Sequence, residues 1–171
     1  MTLKNLLKIG QLKEHPASPE EIERLLAAAQ RNLRDAHVKE NSAETRFDVA
    51  YKAIMQSALA ALMMHGYRPD TNRPGHHMTV LQSTPLTLGL ATKRIVVLDA
   101  LRRQRNVADY TGDDIDDSTA ENCIREAKQL VDDVLAWRKA HRPDLIPKTK
   151  WAATSGSAQG KFVDTRRIVI R

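Results

Sequence analysis

Apolar residues return every three to four positions through most of the chain, the spacing of helices that bury one side. The first clear run is SPEEIERLLAAAQRNLRDAHVKE, with Ser18 as N-cap, Pro19 at the first helical position and Glu21 three after the cap. These are helix start signals, because the cap oxygen and the glutamate satisfy amides that the first turn leaves unpaired. Ile22, Leu25, Leu26, Ala29, Leu33 and Ala36 follow at helical spacing. A second helix is expected after Ser42, with Phe47, Ala50, Tyr51, Ile54, Ala58 and Leu62 as its stripe and Gly66 as its stop. Its second half is apolar on several faces, which predicts a central position.

The segment YRPDTNRPGHHM holds two prolines and a glycine and reads as a loop. MTVLQSTPLTLG fits a short helix ending near Pro85. TKRIVVLDALRRQRNVADY suits a helix through Ile95, Val97, Leu98 and Leu101, although RIVVL alone also suits a strand. An acidic turn, TGDDIDDS, leads to a fifth helix from about Thr119 to Ala140, with Ile124, Ala127, Leu130, Val131, Val134 and Trp137 in register. Pro143 and Pro147 close the compact part. AATSGSAQG then reads as a linker, and KFVDTRRIVIR as a short edge strand or a segment ordered against a partner. The expectation is an all-α, antiparallel up-and-down bundle of four to five helices, residues 18–142. An extension, 1–17, precedes it and a basic tail, 143–171, follows.

Composition supports helices: aromatics are 4% of the 171 residues, too few for the aromatic and β-branched strands of a sandwich. No apolar run reaches the length of a membrane span, and the N-terminus lacks a signal peptide's apolar core. With one cysteine, Cys123, the chain has no internal disulfide framework and no Cys-rich zinc site. It reads as soluble and cytoplasmic. Of the formal charge of +6, most belongs to residues 148–171, where six Lys/Arg face one acid. A basic tail on a nearly neutral body suits an anionic partner such as RNA, and equally a solvated terminus.

Candidate chemistry gathers at RRQRNVADY, Arg102 to Tyr110. Arg105 lies four after Leu101 and seven after Leu98, so on a helix it shares their apolar face. A guanidinium there needs acceptors. Asp109, one turn later, offers a structural ion pair. Asp48, the carboxylate in RFDVAY, offers a pair with Arg102 or Arg105 across the bundle. Asn106 is a poor helix former, and its place suggests a side-chain hydrogen bond. Tyr110 converges on Arg105 only if the helix unwinds near Asp109, ahead of Thr111-Gly112.

RNVADY, with LLAAAQRNLRDA, RFDVAYKAIMQSALAALMMHGYRP, GHH and LTLGL, resembles a HEPN domain (higher eukaryotes and prokaryotes nucleotide-binding). The resemblance covers about residues 20–140, in order, and Arg105-Asn106 matches the start of the family's Arg-x(4–6)-His signature. It implies a helical up-and-down bundle that forms a homodimer and brings two motifs to a shared cleft. In active members the arginine and histidine support metal-independent RNA cleavage. Many members are toxins paired with an antitoxin, often a minimal nucleotidyltransferase.

The chain departs from that signature. Five after Arg105 stands Tyr110, and the next histidine is His141. Metal-free cleavage must take a proton from the 2′-hydroxyl and give one to the leaving oxygen, work that histidine does near neutral pH. Tyrosine, with a pKa near ~10, is a poor base there. Arg102, Arg103 and Arg105 with Asn106 still suit phosphate through forked hydrogen bonds. His76-His77 is the one histidine pair. As adjacent residues without an acid or cysteine cluster they do not make a metal site, and either ring reaching Arg105 would supply the missing base. The run Asp113 to Asp117 fits no calcium-loop spacing and reads as a solvated turn that charges a helix start. Met63-Met64 reads as core or dimer contact.

Two functions follow, neither needing a cofactor or metal. One is a dimeric module binding RNA or nucleotide phosphate, of a toxin–antitoxin-like or defence-related kind. The other is a metal-independent ribonuclease with His76, His77 or Tyr110 as an unusual base.

Overall fold

The computed structural model describes residues 1–148; most of the basic tail, with the strand expected in it, lies outside the described residues. The Ser18 hydroxyl accepts a hydrogen bond from the Glu21 amide at 3.3 Å, and helix α2 runs Pro19–Ala36. Ser18→Ala is expected to lower stability by about 1 kcal/mol, measured by urea unfolding. Ser42 repeats the device, accepting from the Thr45 amide at 3.2 Å, and helix α3 runs Ala43–Met64.

Helix α3 is the centre of the molecule. Besides its expected stripe it buries Ala53, Ala60, Ala61, Met63 and Met64. It lies between α2 and the last long helix, α7, Asp117–His141. Alanines on several of its faces let both neighbours approach closely, and Met64 is fully enclosed. Helix α7 buries Ala120, Cys123, Ile124, Ala127, Leu130, Val131 and Val134 against it. Asp116 caps α7 by accepting from the Thr119 amide at 2.7 Å, and Asp117 lies 3.6 Å from Arg46. Part of the acidic run therefore starts a helix and pairs with a buried arginine.

Three local expectations are corrected. The segment 1–17 is ordered: helix α1, Leu3–Lys8, and strand β1, Leu12–Glu14, pack Leu6 and Leu12 into the core. Strand β1 pairs antiparallel with β2, Tyr67–Pro69, in the register Leu12↔Pro69, Lys13↔Arg68, Glu14↔Tyr67, so the expected loop begins as a strand. Its second half holds helix α4, His76–Gln82, followed by α5, Thr84–Leu88. Pro85 therefore starts a helix instead of ending one, because the first turn needs no amide from it. At the far end a 3-10 turn, Pro143–Leu145, still buries Leu145.

The fourth expected element is helix α6, Thr92–Thr111, so RIVVL is helical. Arg94 pins it to α7 through Asp133, with Glu126 3.7 Å away. The helix buries Leu98 and Leu101 alone, leaving Val96 64% and Val107 52% exposed. The fold is thus mostly helical, with one small two-stranded sheet among the described residues. No helix of the described residues is long and apolar enough to cross a membrane.

Candidate functional site

Helix periodicity assembles the site. On α3, Asp48, Tyr51, Lys52 and Met55 stand at i, i+3, i+4 and i+7, one face of the helix. On α6, Leu98 and Leu101 are buried and Arg105 continues their stripe to the edge of the core. Gly75, at φ +79°, adopts the left-handed conformation that turns the chain into α4, whose second residue is His77. These elements enclose a cleft of about 430 Å³ lined by Asp48, Val49, Tyr51, Lys52, Met55, His77 and Arg105.

The Arg105 guanidinium lies over the Tyr51 ring, 5.3 Å from its centroid, a cation–π contact. Its Nε is 3.6 Å from Asp48 Oδ1 and its Nη2 is 3.9 Å from Asp109 Oδ2. Both expected carboxylates therefore attend Arg105, at ion-pair range but beyond a hydrogen bond. With the side chain 34% exposed, the forked donors are partly open to a ligand. Burial, opposed by the charges of Arg105 and Arg102, pushes the Tyr51 hydroxyl up to about 12. It stays protonated at neutral pH and is no base.

His77 is the histidine that reaches this cleft. Burial lowers its pKa first, and the neighbouring charges of His76, Arg105 and Arg102 lower it further, so its ring is neutral and able to accept a proton at pH 7. His76 packs edge-on against it, centroids 4.5 Å apart, with Nδ1 3.3 Å from the Arg73 carbonyl oxygen. His76 does not line the cleft.

Other expected residues fall outside. Arg102 Nε donates to Asp99 Oδ1 at 2.8 Å, and Arg103 Nη2 lies 2.8 Å from Asp99 Oδ2. Burial raises the Asp99 carboxyl, but hydrogen bonds from Arg102 and the charges of both arginines outweigh it and hold the group below its usual value. Asp99 was not anticipated, although it precedes the two arginines by three and four positions, the spacing that pairs side chains on a helix. The proposed unwinding near Asp109 does not occur: α6 continues to Thr111, which leaves Tyr110 roughly 140° around the axis from Arg105 and 91% exposed. Tyr110 is therefore not placed as a base for Arg105 within the chain. Asn106 is exposed and makes no side-chain hydrogen bond among the described residues. Lys52, which the sequence reading passed over, lines the cleft and forms no ion pair among the described residues.

The site thus offers one forked cation on an aromatic support, one unpaired lysine among the described residues, one neutral imidazole and an apolar wall of Val49 and Met55. Among the described residues no three His, Cys, Asp or Glu side chains cluster in a way that would hold a metal ion. Compared with protein-family models and with curated proteins, the chain matches none.

Proposed function

We propose that the chain is a HEPN-type dimeric module that binds an RNA or nucleotide phosphate at the Arg105 cleft. The observation that carries this reading is the guanidinium of Arg105, resting over the Tyr51 ring and beyond hydrogen-bonding distance of both its carboxylates, facing the same cleft as Lys52 and His77. An anionic oxygen entering there meets donors that the fold has not used. Arg102 and Arg103 hold Asp99 and so shape the helix beside the cleft. The setting, a toxin–antitoxin-like or defence-related system in the cytoplasm with an antitoxin or nucleotidyltransferase partner, rests on the resemblance.

Dimerisation is supported by the under-packed α6, whose exposed Val96 lines a groove of about 700 Å³ with Ile95, Val97, Ala100 and Leu101, and whose exposed Val107 lines a second, smaller groove. Such a face gains from cover by a second copy. A charge at Val96 (Val96→Glu) is expected to shift the protein to monomer in sedimentation. An unchanged dimer would place the interface elsewhere.

His77 in the cleft favours a second reading, metal-independent ribonuclease. The neutral ring takes the 2′-hydroxyl proton, the 2′-oxygen attacks phosphorus, and the 5′-oxygen leaves with a proton from solvent. Arg105 holds the phosphate charge as it grows. The test is cleavage of single-stranded RNA by the wild type and by His77→Ala. The nuclease reading predicts loss of cleavage by about 100-fold or more with binding retained, and a rate that rises with pH through a midpoint below ~6.5. Binding without cleavage in the wild type leaves the module as a binder.

A further inference from the structure

The cleft is lined by two basic side chains, Arg105 and Lys52, and one acidic one, Asp48, while His77 is held toward its neutral form. Among the lining groups alone these leave one net positive charge, and Asp109, 3.9 Å from Arg105 Nη2, adds a second carboxylate beside the same guanidinium. Asp109, the other carboxylate near Arg105, is half exposed and is not part of the lining. Asp48 and Lys52 stand one helical turn apart on the same face of α3, so a ligand drawn to Lys52 comes close to Asp48 as well.

We propose that Asp48 fixes the charge of the phosphate that the cleft accepts, with Lys52 as the second cation: the site takes a singly charged phosphodiester and disfavours a doubly charged terminal phosphate. This rests on the reading of the cleft as a phosphate site. A diester carries one negative charge at neutral pH, whereas a monoester carries close to two, since its second pKa is about 6. One net positive charge compensates the first. The second charge of a monoester must sit beside the Asp48 carboxylate, which lies 3.6 Å from the Arg105 Nε that the phosphate would use, and like charges at that range repel. Displacing Asp48 does not remove the problem, because its Cα is fixed on the central helix. The apolar wall of Val49 and Met55 then faces whatever the diester links, which suits an unstacked base.

The probes are 2′-O-methyluridine 3′-monophosphate and its methyl ester, which share one nucleoside and differ by one charge. Binding is followed at pH 7.5 by chemical-shift titration of the full chain. The wild type is expected to bind the ester at least about tenfold more tightly. Asp48→Asn should narrow that preference by strengthening the monoester, and Lys52→Gln should weaken both ligands by about fivefold. A wild type that prefers the monoester, or an unchanged ratio in Asp48→Asn, overturns the assignment of Asp48 while leaving a phosphate site in place. Failure of both ligands to bind, with no difference between wild type and Arg105→Ala on single-stranded RNA, overturns the phosphate site and this inference with it.

Discussion

Replacing Arg105 by alanine is expected to weaken binding of single-stranded RNA by about 30-fold, with the fold intact. A hydrogen bond to a charged group is worth about 1.5–3 kcal/mol, and each 1.4 kcal/mol is a factor of ten. Arg105 sits at the boundary of the core with one third of its side chain exposed, and neither of its carboxylates depends on it through a hydrogen bond. Its removal therefore costs the protein little and the ligand a great deal. The salt dependence of binding should flatten by about one counterion, since one phosphate contact is lost. Arg103→Ala is the internal comparison: it releases an Asp99 contact on the surface and should leave RNA affinity within about twofold. Fluorescence anisotropy across a salt series measures both. Equal losses in the two variants would mean that basic charge in general, and not the cleft, attracts RNA.

The second large effect is on stability. Phe47→Ala should cost about 3–5 kcal/mol, the range for truncating a buried aromatic ring, and lower Tm by about 10 °C or more. Phe47 is 1% exposed on the central helix and lies parallel to Tyr51, with ring centroids 6.5 Å apart. Its loss leaves a cavity beneath the ring that carries Arg105. The same variant should therefore weaken phosphate binding under conditions where it is still folded. Calorimetry gives the first quantity and titration of the folded protein the second. A large fall in Tm with unchanged affinity would show that Tyr51 holds its place without Phe47.

The helices were legible because their signals are local. Ser18 with Glu21 and Ser42 with Thr45 announce their starts within four residues. The stripe of α3 repeats often enough to identify the central helix. Strands β1 and β2 were not legible: each is three residues long, and their partners lie more than fifty positions apart, so no periodicity reports them. Arg105 could be found because Leu98 and Leu101 fix its face, and Asp48 and Asp109 could be named as its partners. Which carboxylate takes which arginine depends on the crossing of α3 and α6, and Asp99, close along the same helix, pairs with the two arginines that were expected to hold phosphate. His77 and His76 are neighbours in sequence with equal chemistry. Only the left-handed turn at Gly75 and the direction of α4 separate the ring in the cleft from the one that does not line it.

The central claim is that Arg105, Lys52 and His77 act on one phosphate. It is tested most directly by a crystal structure with a 2′-O-methylated dinucleoside monophosphate, which cannot be cleaved through its 2′-oxygen. The account predicts the phosphate within hydrogen-bonding distance of the Arg105 guanidinium and Lys52 Nζ; the ribonuclease reading adds a His77 nitrogen facing the 2′-oxygen. A phosphate on Arg102 or Arg103, with Arg105 still between Asp48 and Asp109, would contradict it.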